Sequence, residues 1–182
     1  MSTTPASGTH LWNIDPTHSS IDFSVKHLAV FTVRGSLGPV TGSAETTDGV
    51  ISSVTLSSDA TGITTNNAQR DGHLKSGDFL KVEEFPTIDF KSTSIDKKSD
   101  TEYSLTGDLT IAGKTAPVSV DLEVVAPTTD PWGNLRTGAT GSGILHRKDW
   151  GITYNAPLEA GGVMISDEVK FTFDIQAVVA PA

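Results

Sequence analysis

Along most of the chain the apolar residues recur at every second position, and each run is bounded by Gly, Pro, Asp or Asn, the pattern of short strands with one dry face. Two runs are clearest. Ile21, Phe23, Val25 and His27 share one face while Asp22, Ser24 and Lys26 take the other; near the end of the chain Val169, Phe171, Phe173, Ile175 and Ala177 alternate with Lys170, Thr172, Asp174 and Gln176. Further strands fit Val54 and Leu56, Ile88 and Phe90, Tyr103 to Leu109, and Val118 to Val124. A last run spans about Leu135 to Leu145, where Gly138, Gly141 and Gly143 predict bulges, bends or close approaches. Such alternation belongs to antiparallel sheet, because parallel strands, dry on both faces, read as unbroken apolar runs. Helix is expected only over Asn67 to Leu80, as two short turns: Asn66 or Asn67 can cap, Asp71 and Lys75 lie four apart, and Gly72 and Gly77 weaken the element. About eight strands with one such insertion leave two all-β architectures, a closed up-and-down barrel and a two-layer sandwich.

The connections fit this picture. Thr47-Asp48-Gly49 reads as a hairpin turn, Asp15-Pro16 starts a turn, and Asp130-Pro131-Trp132-Gly133-Asn134 forms a longer exposed loop. No repeat, heptad or linker divides the chain, and 182 residues suit one domain with one core. The expectation is a flexible tail over residues 1–8 followed by a single domain over residues 9–182.

Charge and composition then remove whole classes of function. The chain carries 22 Asp and Glu against 13 Lys and Arg, a net charge of -9, the wrong sign for a phosphate backbone. There is no Cys, which excludes disulfides, thiolate nucleophiles, iron–sulfur clusters and cysteine zinc sites together. No stretch approaches the roughly 18 apolar residues that span a bilayer. Met1 to Thr9 has neither a basic nor an apolar signal region, so the protein is expected in the cytoplasm, with export only if this end is processed or engineered.

Candidate chemistry is sparse. Gly113-Lys114-Thr115 ends like a phosphate-binding loop, but Asp108 stands where the first Gly is needed and a strand follows instead of a helix, so a β-turn is the reading. Gly141-Ser142-Gly143 is too short for a nucleophile elbow. The five histidines, His10, His18, His27, His73 and His146, form no ligand pair at i, i+2 or i, i+4, so a metal site would need separate strands. His27 falls on the apolar face, where an imidazole needs a partner: either a backbone carbonyl or a ligand at one end of an apolar cavity. Binding therefore outranks catalysis. The alternative is a metal- or redox-dependent enzyme using histidines such as His27 and His146.

Five blocks in order carry a family resemblance. Trp12-Asn13-Ile14-Asp15-Pro16-Thr17-His18-Ser19 with Phe23-Ser24-Val25-Lys26-His27 is similar to the opening of the YceI-like, lipocalin-type polyisoprenoid-binding family. Arg70-Asp71-Gly72-His73-Leu74 with Asp78-Phe79, then Phe85-Pro86-Thr87-Ile88-Asp89-Phe90, resembles its centre. Gly107 to Ile111 with Gly113-Lys114-Thr115, and Arg147-Lys148-Asp149-Trp150-Gly151, resemble its later motifs. The resemblance runs from about His10 to Val178 and implies an extended eight-stranded antiparallel barrel with a short helical insertion. It implies a cavity for a polyisoprenoid or related amphipathic lipid, an isoprenoid quinone among them, and it implies storage or transport without catalysis or a further cofactor. Members are often exported and often homodimeric. Leu80 and Lys81 stand where many relatives carry an aromatic and an aspartate, and Trp150 replaces a commoner Phe.

The cavity is expected to be lined by Phe23, Val25, His27, Phe79, Leu80, Phe90, Trp150, Tyr154, Phe171 and Phe173, with Arg70, His73, His146 and Arg147 meeting a polar head. Aromatic residues make up only 7% of the chain, which leaves room for a guest. A guest of about 40 carbons, at roughly 0.3 kcal/mol per atom, reaches on the order of -12 kcal/mol, in the nanomolar range. The acidic surface argues against stable membrane insertion.

Overall fold

In the computed structural model, which describes residues 8–159 and 161–179, ten strand segments form one antiparallel sheet that closes on itself. The tail expected over residues 1–8 lies outside the described residues, apart from Gly8. The segments are β1 (Thr9–Ile14), β2 (Ser20–His27), β3 (Phe31–Ser36), β4 (Val40–Thr47), β5 (Val50–Asp59), β6 (Thr87–Lys97), β7 (Glu102–Ile111), β8 (Lys114–Thr129), β9 (Leu135–His146) and β10 (Ile165–Val179). They amount to eight strands, because β1 and β2 follow one another along the same edge of β10, and β3 and β4 continue each other beside them. Pairing of β1 with β10, Trp12 opposite Val179 and Ile14 opposite Ala177, completes the ring. This is the closed eight-stranded barrel, and the sandwich is set aside.

The break between β1 and β2 has a local cause. Pro16 has no N–H to offer a ladder, and the Asp15 carboxylate turns back to accept from the Thr17 backbone N (3.0 Å), the Thr17 hydroxyl and His18 Nδ1 (2.9 Å). Arg136 of β9 anchors this corner from across the sheet: its Nη1 donates to Asp15 (2.8 Å) and its Nε to Asp130 (2.7 Å) in the β8–β9 loop. Asp130 also accepts from the backbone of Trp132 and Asn134, so the loop that exposes Trp132 is tightly built. Hydrogen bonds from Thr17 and Arg136 hold the Asp15 carboxyl, and those from Arg136 and Asn134 the Asp130 carboxyl, far below the usual carboxylate range.

These carboxyls prefer the charged form in the folded state, so their contribution is complete above the unfolded value of 3.8 and is lost as pH falls through and below it. Replacing Arg136 by Met is expected to lower the melting temperature near neutral pH and to flatten its fall between about pH 5 and about pH 2, so that the two curves converge in acid. Parallel melting curves for the two proteins would contradict this role.

The turns at both ends obey their chemistry. Asp48 and Gly49 take left-handed φ values of 51° and 79°, as do Ala112 and Gly113 at 49° and 77°, which matches the twist of two-residue hairpins. The Gly113-Lys114-Thr115 motif is thus a hairpin. Three hairpin connections, β4–β5, β6–β7 and β8–β9, and both chain ends of the sheet lie at one end of the barrel, the hairpin end. At the other, helix α1 (Ala68–Lys75) and the segment from Arg147 to Met164 cover the opening. Helix α1 starts where Asn67 caps the Arg70 N–H (3.0 Å) and stops at Lys75, five residues short of the expected Leu80. Between β3 and β6 no strand closes the wall; segment 60–86 fills that space, joined to β3 by an isolated bridge from Ser36 to Thr64.

Candidate ligand cavity

The inward faces of the strands are dry but do not fill the barrel. Fully buried side chains gather towards the two ends. Trp12, Ile14 and Ile175, with Tyr103, Leu105 and Leu122 opposite, pack towards the hairpin end, and Phe79, Ile111, Trp150 and Ile152 pack at the helix end. Between them, inward residues such as Val25, Phe90, Val120, Val169 and Phe171 are only half-buried, because an empty lumen lies beside them. The cavity has a volume of about 880 Å³ and runs from Arg70, His73 and Tyr154 at the helix end to Asp48, Lys97 and Asp100 at the hairpin end. The protein's own side chains therefore do not fill the interior.

Glycines keep this lumen open. Phe171 and Phe173 of β10 stand opposite Gly143 and Gly141 of β9, and each phenyl ring reaches over its glycine, where an added Cβ would come within 2.5 Å and 2.4 Å of the ring. Phe23 lies in the same way over Gly35 of β3, and Phe90 over Gly107 of β7. Four aromatic rings thus pave the wall instead of crossing the space. Of the three readings the alternation left open for Gly141 and Gly143, close approach is the one observed.

All ten residues expected along the apolar wall, Phe23, Val25, His27, Phe79, Leu80, Phe90, Trp150, Tyr154, Phe171 and Phe173, line the cavity. Of the four expected at a head group, Arg70, His73 and Arg147 reach the cavity and His146 does not. The departure of His146 is a matter of phase: Leu145 points inward, so His146 points to solvent, where Nδ1 faces Asp167 at 3.4 Å. It therefore shares no site with His27, and among the described residues no three His, Asp or Glu side chains converge as metal ligands.

Polar groups at the helix end are held from behind. Arg70 Nε donates to Thr65 Oγ1 (2.7 Å) and its Nη2 to the Thr65 carbonyl (3.0 Å), which fixes the guanidinium against the cavity wall. Asp71, the next residue, secures the helix by accepting from the Thr65 N–H (2.7 Å), the Thr65 hydroxyl and the Thr64 hydroxyl (3.2 Å); these bonds, that from the Thr65 hydroxyl first, hold its carboxyl below the usual range. His73 Nε2 meets Asp78 Oδ2 at 2.7 Å, and its ring stands edge-on to Phe79 and Tyr154, with centroids 5.0 Å and 4.8 Å away. Arg147 is spent differently. Its Nε, Nη1 and Nη2 donate to the carbonyls of Ser166, Ile152 and Ile165, so it ties the 147–152 turn to β10, and burial pushes its pKa down. Trp150 closes the end wall with Nε1 bonded to the Leu109 carbonyl (2.8 Å).

His27 lies at the end of β2 with no hydrogen bond from its ring to any described group, so of its two readings the carbonyl-bonded core histidine is not observed. The alternation did not reveal Val33, Leu37, Ile63, Leu74 and Met164, which also line the cavity. They lie on β3 and just after it, on segment 60–86 and on the 161–164 stretch, where strand periodicity is interrupted.

A closed barrel with a hollow apolar lumen, the Arg70 to Tyr154 centre and the Trp12 to His27 opening can now be set beside known proteins. The description of the YceI-like domain matches residues 12–177. The chain belongs to the YceI-like family. A UPF0312 protein of Staphylococcus aureus strain N315 is 39% identical over 165 residues, covering 88% of this chain and 92% of the relative. Among solved structures, Burkholderia cenocepacia BcnA superimposes with a TM-score of 0.76 at 17% identity, over 90% of this chain and 98% of its own. The Campylobacter jejuni YCEI protein gives 0.73 at 22%, over 86% and 90%. A polyisoprenoid binding domain from Saccharophagus degradans gives 0.68 at 13%, over 93% and 98%. At these identities the three structures speak for the fold.

Proposed function

We propose that this YceI-like protein is a non-enzymatic binder of a polyisoprenoid or similar long-chain amphipathic lipid, held inside the barrel for storage or transport. The observation that carries the reading is the hollow lumen of about 880 Å³, apolar along its length with polar groups at its two ends, Arg70, His73 and Tyr154 at the helix end and Asp48, Lys97 and Asp100 at the hairpin end. At about 30 Å³ per heavy atom, the share of one water in the liquid, it takes about 30 heavy atoms. That is shorter than the 40-carbon guest expected from sequence. At roughly 0.3 kcal/mol per atom the affinity falls to about -9 kcal/mol, which is submicromolar.

The groups facing the helix end suit a head that accepts hydrogen bonds. Arg70 brings a cation, and His27, His73 and Tyr154 bring ring nitrogens and a phenol, a set that matches a quinone carbonyl or a phosphate ester. The chain's own hydrocarbon supplies the affinity and these donors supply orientation.

Organic-solvent extraction of the purified protein, followed by mass spectrometry, tests the reading. The expected result is a reproducible isoprenoid or other long-chain lipid of about 30 heavy atoms. Absence of any such lipid, together with failure of the extracted protein to take up a prenylated quinone from detergent, would overturn it.

A further inference from the structure

The β2–β3 hairpin ends at the helix end in an apolar tip that packs against little of its own molecule. Val30 is 72% exposed and Phe31 64%, Leu28 stands beside them, and Val163 on the facing 161–164 stretch is exposed as well. The tip is nonetheless well anchored: Leu28 N donates to the Met164 carbonyl (2.8 Å), and His27 pairs with both Phe31 and Ile165. Its backbone is costly. Leu28 (φ 53°) and Ala29 (φ 59°) are consecutive non-glycine residues in the left-handed region, where Gly or Asn would be at ease. A tip that holds such a backbone to present aliphatic and aromatic side chains to water has its apolar partner outside this chain.

Position and charge identify that partner. His27, Val33 and Met164, immediate neighbours of the tip, line the cavity, and the outer edge of β3 from Phe31 to Gly35 has no strand beside it, so the tip forms part of the rim of the lumen where segment 60–86, not a strand, completes the wall. Residues 23–44 contain no Asp or Glu although the chain has 22, while Lys26 and Arg34 flank the tip. Aliphatic and aromatic side chains between two cations, on a hairpin with no carboxylate of its own, are the composition of an element that enters the boundary between headgroups and acyl chains, while Asp167 and Glu168 stand beside Lys26 on the paired β10, below the tip. The acidic remainder keeps the rest of the surface away from an anionic membrane.

We propose that the Leu28–Phe31 tip docks the protein reversibly on a lipid bilayer, with Val30 and Phe31 in the acyl region, so that an apolar chain passes between bilayer and lumen without crossing water. The proposal rests on the lipid-binding reading of the lumen. It also meets a physical need, since each methylene disfavours the aqueous phase by about fourfold and a chain of about 30 such atoms has almost no free concentration there. The docking is shallow: two side chains and two flanking cations hold the protein briefly, as a carrier requires.

The test uses the full chain, its Val30→Ser/Phe31→Ser variant, and phosphatidylcholine vesicles carrying a naphthoquinone with a four-unit isoprenoid tail. Both side chains are exposed, so the variant is expected to melt like the parent. Vesicle sedimentation reads docking, and quenching of tryptophan fluorescence reads transfer, since Trp12 and Trp150 line the cavity. The parent is expected to sediment with vesicles, and the variant to bind them and acquire quinone about tenfold less well, while both saturate equally with quinone delivered from detergent. Equal vesicle binding and transfer by the two proteins would overturn the proposal. So would a parent that ignores vesicles but self-associates through the tip, seen as a dimer in sedimentation equilibrium that the variant loses. If neither protein takes up quinone from detergent, the lumen reading fails, and vesicle sedimentation still decides the docking.

Discussion

Replacing Val120 by Trp is expected to empty the barrel of ligand while leaving it folded. Val120 sits on β8, projects into the lumen beside Gly143, and is only half-buried because nothing occupies the space in front of it. The indole adds about seven heavy atoms, or about 200 Å³ at the same volume per atom, close to a quarter of the lumen. A guest would lose the burial of a comparable number of methylenes, each worth about 0.8 kcal/mol, so binding should weaken by at least about a hundredfold. Overpacking usually destabilises a filled core, but here the new ring enters vacant space, so the melting temperature should hold or rise. A titration with the prenylated quinone checks the first expectation and thermal unfolding the second. Unchanged affinity in a folded variant would place the ligand somewhere other than the lumen.

Trp150→Ala is expected to have the largest effect on stability. The indole is 4% exposed, packs against Phe79, Ile111 and Ile152, and donates to the Leu109 carbonyl at 2.8 Å. Its removal leaves a cavity in the end wall and a carbonyl without its donor, at a cost of about 3–5 kcal/mol, a large part of a domain's total of about 5–15 kcal/mol. For a domain of this size that lowers the melting temperature by roughly 10–15 °C. Trp150→Phe retains most of the packing and loses only the N–H, so it should fall between the two. Should Trp150→Ala melt within about 2 °C of the parent, the end wall would not be the keystone that its burial implies.

The barrel was legible wherever a strand kept one face dry and one wet. Ile21 to His27 and Val169 to Ala177 do so without interruption, and every inward position inferred from them holds. Alternation failed where the phase resets. Arg147 to Trp150 is a 3₁₀ turn that follows β9 directly, so His146 and Arg147, both expected at the head group, are split, with His146 outside the barrel and Arg147, like Trp150, within the end wall. Segments β3 and β4 escaped notice because Gly35, Gly38, Pro39 and Gly42 interrupt their pattern and β3 has one unpaired edge. The network of Asp15, Asp130 and Arg136 joins residues up to 121 apart in sequence, a proximity that only barrel closure creates. By contrast the roles of Thr64 and Thr65 had a local signal: two hydroxyls just before an Asn cap, with Asp71 one helical turn on, are the ingredients of side-chain bonds to a helix start.

The same comparison gives meaning to the low aromatic content. Of the seven Phe in the chain, five are set against glycines, and four of these, Phe23, Phe90, Phe171 and Phe173, line the lumen, so even large apolar side chains leave it open. A Phe laid over a cross-strand Gly covers bare backbone and lets the sheet curve, so the same pairing that secures the barrel also leaves its middle open.

Methyl-resolved NMR of the protein with the prenylated quinone tests the central claim most directly. The lumen methyls of Val25, Leu109, Val120 and Val169 are expected to shift and to show contacts to the isoprenoid protons, while those of the exposed Leu11 and Ile144 stay unchanged. Saturable binding that leaves the four lumen residues unmoved, or that perturbs only the outer face, would contradict a chain held inside the barrel.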